Sequence, residues 1–278
     1  MLQNDYIYRI KREIDIVVLS DLHLGSNACR AGRLNRYLKP IAPKKVILNG
    51  DIIDIWLLDL KKWPKKHTKI LAHFFNWMIN DIPIYYITGN HDDTLRKFTG
   101  LKFHNFKLLD ELVLDLDGKK TWILHGDKFD KSVSGKQRKL AIRAGKAFDQ
   151  FVRFNRFVNE WERFVGRKET NFSKTLKDKT KKSIKQKNDF EQQYIDYASK
   201  NGIDAVVCGH VHNPGIWQMV ATENRKEITY LNSGDWTESC TALEYKEGKW
   251  ELFRHKKSKN IQNSILGQVR FDAEEDLP

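Results

Sequence analysis

The chain has 278 residues, of which 40% are hydrophobic and 31% charged; this composition excludes a disordered chain and favours one globular domain, with or without an insertion. Its three cysteines are odd in number and far apart, which argues against a disulfide framework and favours a reducing compartment. The formal net charge of +13 is concentrated, since residues 128–200 carry 20 of the 49 lysines and arginines but only 9 of the 36 acidic residues.

The first half of the chain alternates strand-like and helix-like segments. Three apolar runs predict strands, and two amphipathic segments between them predict helices. In chain order these are Ile14–Leu19, the helix Arg30–Leu38, Lys45–Leu48, the helix His67–Ile79 and Ile84–Thr88. The alternation is typical of repeated βαβ units with a parallel sheet.

The later strands are expected to be mainly antiparallel. Leu112–Leu116 and Thr121–Leu124 flank Asp117-Gly118, a pair that readily takes the positive φ angles of a tight hairpin turn. Four further runs predict strands: Ile203–Val207, Thr229–Leu231, Ala242–Tyr245 and Trp250–Phe253. The sequence therefore predicts an α/β fold in which mostly parallel strands come first and antiparallel strands follow.

Residues 130–200 interrupt this alternation and are predicted to be a helical insertion. Apolar residues from Phe148 to Val165 recur at three- and four-residue spacings, and Lys174–Lys187 carries seven lysines. Two interpretations stay open: a helical pair packed on the core with a solvated lysine face, or a lid that covers substrate. We therefore assign residues 1–258 to one domain containing this insertion, and 259–278 to a loosely attached polar tail.

Five short polar motifs follow five of the predicted strands. Because open α/β sheets build their sites at the carboxyl ends of strands, this placement predicts one shared site. The motifs are Asp21-Leu22-His23, Gly50-Asp51-Ile52-Ile53-Asp54, Gly89-Asn90-His91-Asp92, His125-Gly126-Asp127 and Gly209-His210-Val211-His212.

The side chains of these motifs are suited to metal chemistry at phosphorus. Asp, Asn and His bind divalent ions such as Mn, Fe or Zn. Two ions that share one carboxylate activate water and hold the oxygens of an in-line displacement, so that no protein nucleophile is needed. No Gly-x-Ser-x-Gly elbow and no Walker-type phosphate loop occurs in the chain, which agrees with this chemistry.

The five motifs, in this order, resemble those of the calcineurin-like metallophosphoesterases over residues 14–235. The resemblance implies a four-layer α/β/β/α sandwich and a two-metal hydrolase. It also implies that Asp21, His23 and His212 hold one metal, that Asn90, His125 and His210 hold the other, and that Asp51 bridges them. By the same resemblance His91 stands beside the scissile phosphate, either as electrophile or as acid to the leaving oxygen. Asp92 orients His91, and Asp54 supports the site without binding metal.

A narrower resemblance is to the UDP-2,3-diacylglucosamine diphosphatase group. It rests on the segments Ser20–Ser26, Asn49–Asp54, Cys208–His212 and Ser233–Trp236, and on the helical insertion. It implies hydrolysis of a pyrophosphate bond with release of UMP in lipid A synthesis, manganese as the metal, and a lid that shelters acyl chains. The chain departs from this group at His91, where the diphosphatases typically carry arginine.

These observations leave three functions to weigh. The first is the diphosphatase-like enzyme acting on a nucleotide-linked lipid. The second is a nuclease or nucleotide phosphodiesterase, since a basic segment with interleaved aromatic residues also suits single-stranded nucleic acid. The third is a scaffold without catalysis. Because no signal segment or membrane span is evident, we expect a cytoplasmic protein. Two roles stay open for the lysines of the insertion: contact with the diphosphate of the substrate, or contact with the anionic surface of the inner membrane.

Overall fold

The computed structural model describes residues 11–130 and 183–255. In chain order these residues form the strands β1 (Arg12–Ile14), β2 (Ile16–Leu19), β3 (Ile41–Pro43), β4 (Val46–Asn49), β5 (Ile84–Ile87), β6 (Lys102–Phe103), β7 (Phe106–Leu109), β8 (Glu111–Leu116), β9 (Lys119–Leu124), β10 (Ala205–Cys208), β11 (Gly215–Val220), β12 (Glu227–Asn232), β13 (Thr241–Lys246) and β14 (Lys249–Arg254). The helices are α1 (Ala31–Leu38), α2 (Lys65–Ile79) and α3 (Ser183–Lys200), with 3₁₀ turns at Leu60–Lys62 and Asp93–Phe98.

Two large sheets form the centre of the fold. The seven-stranded sheet has the order β14-β13-β2-β4-β5-β7-β6, and the five-stranded sheet has the order β11-β12-β10-β9-β8. Strands β2, β4, β5 and β7 are parallel, as are β9, β10 and β12, and the strands at the edges of each sheet are antiparallel. A small parallel pair, β1 with β3, adjoins the larger sheet.

Alternating side chains of β2 show how the layers stack. Val17 and Leu19 share an apolar cluster with residues of α1 and α2, whereas Ile16 and Val18 pack with strands of the five-stranded sheet. All four residues are buried, as a strand covered on both faces requires. On the other side, Tyr194 and Ile195 of α3 pack on the five-stranded sheet. The layers are therefore α/β/β/α, and the predicted four-layer sandwich is confirmed.

The predicted insertion is only partly visible. Residues 131–182 lie outside the described residues, as does the predicted tail, so both the lid and the domain boundaries stay predictions. The last part of the predicted insertion forms α3, which packs on β10, β11 and β12 and so belongs to the core layer. No helix in the two described ranges is long and apolar enough to cross a membrane.

The five strands that precede the motifs, the two crossover helices and the hairpin all form, with shifts of one or two residues at their ends. Asp117 and Gly118 have φ angles of 53° and 80°, as the hairpin turn requires. The expectation that the later strands are antiparallel holds only in part: the strand predicted at Thr229–Leu231 pairs parallel with β10 on one side. On its other side it pairs antiparallel with β11, an intervening strand that we did not predict.

Candidate metal centre

The carboxyl ends of strands from both sheets meet at one edge of the molecule. Asn49 links the sheets there, because its Nδ2 donates to the carbonyl of Leu124, 2.9 Å away. Backbone hydrogen bonds then join successive motifs: Asp21 N donates to Gly50 O, and Gly209 N donates to His125 O. All five motifs therefore lie in one cluster, as their positions after strands predicted.

The backbone of this cluster is strained. Five of the predicted ligands have positive φ angles, between 49° and 61°, although none is glycine: Asp21, His23, Asp51, His210 and His212. Residues other than glycine rarely adopt this conformation, and its cost of about 1–3 kcal/mol per residue is tolerated mainly at functional sites. The first, second and fifth motifs thus turn their ligands sharply off the ends of their strands.

The motif glycines allow close packing around the carboxylates. A Cβ on Gly89 would overlap an oxygen of Asp51, and a Cβ on Gly50 would overlap the His125 ring. A Cβ on Gly209 would lie 2.5 Å from Asp21 Oδ2. Glycine is required at these three positions because a side chain would displace the residues predicted to bind metal.

One group of predicted ligands surrounds Asp21. Its Oδ1 atom lies 3.0 Å from His212 Nε2 and 4.0 Å from His23 Nε2. His23 Nδ1 donates to Asp54 Oδ2 at 3.3 Å, which leaves Nε2 directed at the carboxylates of Asp21 and Asp51. Histidine ligands usually donate their second ring nitrogen to a carboxylate or carbonyl in this way.

A second group surrounds His125. Its Nδ1 donates to the carbonyl of Asn49 at 2.9 Å, and its Nε2 lies 3.4 Å from Asp51 Oδ1 and 3.3 Å from Asn90 Oδ1. His210 stands beside it, with ring centroids 5.3 Å apart, but His210 Nε2 contacts Asp130 Oδ2 at 2.9 Å. His210 Nδ1 is therefore the nitrogen that remains for a metal.

The contacts of Asp21 and Asp51 suit divalent cations. Asp21 Oδ1 is buried, and its 3.0 Å contact with His212 Nε2 does not have the geometry of a hydrogen bond, so its lone pairs are available to a cation. Donor atoms of Asp21, His23 and His212 lie within 4.8 Å of one another, as do those of His23, Asp51 and His91 and those of Asp21, Asp51 and His125. Asp21, His23 and Asp51 each belong to two of these groups, so the donor atoms form one continuous cluster. The two oxygens of Asp51 face different histidines, Oδ1 towards His125 Nε2 at 3.4 Å and Oδ2 towards His23 Nε2 at 3.9 Å, which is the position expected of a bridging carboxylate.

The pKa values of Asp21 and His212 show how the charges in the cluster stabilise one another. Burial alone would raise the pKa of Asp21, but His212 and His125 lower it to about 2. Burial alone would lower the pKa of His212, but the Asp21 carboxylate raises it to about 9. The carboxylates are therefore ionised and stabilise positive charge among them, whether a proton or a metal ion carries it.

His91 is held by two residues on the loop after β4. Its Nδ1 donates to Asp54 Oδ1 at 3.0 Å, and its ring stacks on Trp56 with centroids 4.0 Å apart and planes at 27°. Its Nε2 faces Asp51 Oδ2 at 4.0 Å, and its side chain is 21% exposed, so it can reach a bound ligand. The imidazole is thus fixed in orientation at the edge of the cluster.

Asp92 does not orient His91, contrary to our prediction. Its carboxylate turns into the protein, where it accepts hydrogen bonds from Gly89 N, Ile52 N and the Tyr86 hydroxyl. Burial and the nearby Asp51 raise its pKa to about 6. Asp92 therefore braces the loops of the second and third motifs, and Asp54 supplies the contact to His91.

Three further residues at the cluster were not predicted. Trp56 stacks on His91, Asp130 contacts His210, and Arg96 donates from Nη2 to Asp127 Oδ2 at 2.6 Å. Trp56 lies two residues after the second motif and Asp130 three after the fourth, and this proximity was the only signal in the sequence. Asp127 of the fourth motif holds Arg96 by this contact.

Comparisons with known proteins place the chain among phosphoesterases. A family model described as calcineurin-like phosphoesterase matches residues 14–214. UDP-2,3-diacylglucosamine hydrolase of Aliivibrio fischeri (strain MJ11) is 28% identical over 256 residues, which cover 87% of this chain and 98% of the relative. The protein of that name from Escherichia coli (strain K12) is 28% identical over 216 residues, which cover 74% of this chain and 85% of the relative.

Among solved structures, a novel archaeal phosphodiesterase covers 86% of this chain and 98% of its own, with 12% identity and a TM-score of 0.39.

Proposed function

Since the chain belongs to the calcineurin-like phosphoesterase family, we propose that it hydrolyses the pyrophosphate bond of UDP-2,3-diacylglucosamine or a similar nucleotide-linked lipid. As a member of that family it is a metal-dependent hydrolase acting on phosphoric ester or pyrophosphate bonds. The two relatives named UDP-2,3-diacylglucosamine hydrolase support the substrate, because their similarity extends over most of both chains. UMP and a lipid phosphate would be the products.

The observation that carries the proposal is the position of Asp51, whose Oδ1 lies 3.4 Å from His125 Nε2 and whose Oδ2 lies 3.9 Å from His23 Nε2. Asp21, His23 and His212 would hold one divalent ion, Asn90, His125 and His210 the other, and Asp51 both. Manganese is the metal that we propose, from the resemblance to the UDP-2,3-diacylglucosamine diphosphatase group, since the oxygen and nitrogen ligands themselves suit iron and zinc as well. Such ions supply an activated water and neutralise charge that develops on the phosphoryl oxygens.

The remaining side chains of the centre would orient the substrate and transfer a proton. His91 Nε2 faces the centre while Asp54 holds Nδ1, so Nε2 is the nitrogen that can protonate the leaving oxygen. Trp56 covers one face of the imidazole and restricts its rotation. Asp92 keeps the loops of the second and third motifs together through its contacts to Gly89 and Ile52.

A substrate panel tests the function. With manganese present, we expect release of UMP from UDP-2,3-diacylglucosamine at a rate well above cleavage of plain UDP-sugars or short single-stranded nucleic acids. Liquid chromatography of the nucleotide products is the measurement. Cleavage of nucleic acid, with no UMP from the lipid substrate, would contradict the proposed substrate and favour a nuclease.

The role of His91 predicts a dependence on the leaving group. We expect His91→Asn to slow pyrophosphate cleavage at least about 100-fold, because general acid catalysis contributes roughly 10²–10⁴-fold. Cleavage of a p-nitrophenyl phosphodiester should fall much less, since p-nitrophenolate leaves without a proton. The measurement is kcat for both substrates, with His104→Asn, an exposed histidine outside the centre, as control. Equal losses on both substrates would show that His91 is not the acid.

A further inference from the structure

A cavity of about 520 Å³ opens beside the candidate metal centre. Asn90 and His125, both predicted ligands, line its inner end. Two cations, Arg96 and Lys128, also line it, together with the acidic residues Asp93, Asp110, Glu111, Asp127 and Asp130. A ligand bound at the metals would therefore extend naturally into this space, towards Arg96 or Lys128.

Arg96 is held in place from within the protein. It lies on the 3₁₀ turn Asp93–Phe98, which follows directly on the third motif. Its Nη2 donates to Asp127 Oδ2 at 2.6 Å, its Nε donates to Thr88 Oγ1 at 3.3 Å, and Asp110 lies 3.8 Å from the same Nε. Because the Asp127 side chain is 6% exposed, the fourth motif fixes one edge of the guanidinium group.

The other edge of Arg96 remains accessible. Its side chain is 41% exposed, and none of the described residues makes a hydrogen bond to its Nη1. Lys128, in contrast, contacts Glu111 at 3.2 Å through two half-exposed side chains, which is an ordinary surface ion pair. Arg96 is thus the cation of the cavity that has both a defined position and free N–H groups.

This arrangement suits a second phosphoryl group. A pyrophosphate carries two phosphoryl groups, and the candidate metals would neutralise mainly the scissile one. Arginine stays charged at every physiological pH and binds phosphate through paired N–H groups. His91 faces the centre without being assigned to metal, but it presents a single nitrogen and cannot bind in this way.

We propose that Arg96 binds the phosphoryl group next to the scissile one and so selects pyrophosphate-linked substrates over single-phosphate esters. The inference rests on the proposed function, whose substrate it would explain. Asp127 is then a positioning residue, since it holds the guanidinium group without touching substrate.

Kinetics of Arg96→Gln and Arg96→Lys on two substrates test this. For UDP-2,3-diacylglucosamine we expect Arg96→Gln to lower kcat/KM about 10- to 100-fold, mainly by raising KM, as loss of a charge-assisted contact predicts. Arg96→Lys should lower kcat/KM for this substrate less than Arg96→Gln does, because lysine keeps the positive charge. Hydrolysis of bis-p-nitrophenyl phosphate, which has no second phosphoryl group, should fall much less for both variants. Lys97→Gln is the matched control, because Lys97 adjoins Arg96 but lies over the Phe98 ring and does not line the cavity.

Equal losses on both substrates would overturn the proposal, since they would indicate that Arg96 only supports the fold. A second measurement keeps the test independent of the lipid substrate: inhibition of bis-p-nitrophenyl phosphate hydrolysis by UDP and by UMP, with metal in excess. The unmutated chain should bind UDP more tightly than UMP, and Arg96→Gln should remove that difference. If Arg96→Gln still binds UDP more tightly than UMP, Arg96 does not bind the second phosphoryl group. Hydrolysis of the diester without cleavage of the lipid substrate would refute only the proposed substrate.

Discussion

Replacing Asp51 with asparagine is expected to lower kcat for any phosphodiester or pyrophosphate substrate at least about 1,000-fold, which corresponds to about 4 kcal/mol of transition-state stabilisation. Asp51 Oδ1 lies 3.4 Å from His125 Nε2, and Oδ2 lies 3.9 Å from His23 Nε2. In the unmutated chain the backbone N–H of His91 donates to Asp51 Oδ1 at 2.8 Å. Asparagine keeps the shape of the side chain and an oxygen that can accept this hydrogen bond. The substitution therefore removes mainly the shared negative charge.

The measurement is steady-state hydrolysis with saturating manganese. Asp59→Asn is the matched control, because Asp59 is exposed, pairs with Lys62 at 2.9 Å and should leave kcat unchanged within about twofold. Full activity of Asp51→Asn with added manganese would show that no metal pair depends on this carboxylate.

Replacing Gly89 with alanine is expected to remove most activity, at least about 100-fold, although alanine is the smallest change available. The new Cβ would overlap an Asp51 oxygen and lie 2.5 Å from Asp51 N and 2.9 Å from His125 Cδ2. The backbone must shift away from two predicted ligands, and overpacking of this kind costs about 1–3 kcal/mol of stability. A shift of about 1 Å in catalytic geometry can by itself cost about 100-fold in rate.

Thermal unfolding and activity should be measured together for this variant. The matched control is Gly32→Ala in α1, where the nearest atom to a new Cβ is Arg36 Nη1 at 4.0 Å. We expect Gly32→Ala to raise the free energy of unfolding by about 0.5–1 kcal/mol, since alanine favours the helix, and to leave kcat unchanged. A Gly89→Ala variant as active as the unmutated chain would contradict the close packing of Gly89 on Asp51.

The strands and the position of the site could be predicted from the sequence because both depend on local patterns. Val17 to Leu19 is apolar at every position, as a strand buried on both faces must be, and a polar residue that follows such a run lies at the sheet edge. The strand β11 could not be predicted. Its residues Ile216, Trp217 and Gln218 are exposed, so no alternation marks them as a strand.

The contacts that hold His91 could not be predicted from the sequence. Asp92 is its neighbour in the chain, yet the turn directs the Asp92 carboxylate inward to Gly89, Ile52 and Tyr86. Asp54, which lies 37 residues away in the chain, contacts the imidazole because β4 and β5 are adjacent and parallel. Distances of this kind depend on loop conformation, and neither spacing nor residue type determines it.

The metal content of the purified chain, after reloading with manganese and removal of free ions, tests the two-metal centre most directly. About two ions per chain are expected for the unmutated protein, and fewer for Asp51→Asn, because one carboxylate would serve both ions. Fewer than one ion per chain, with undiminished hydrolysis, would contradict the proposed centre.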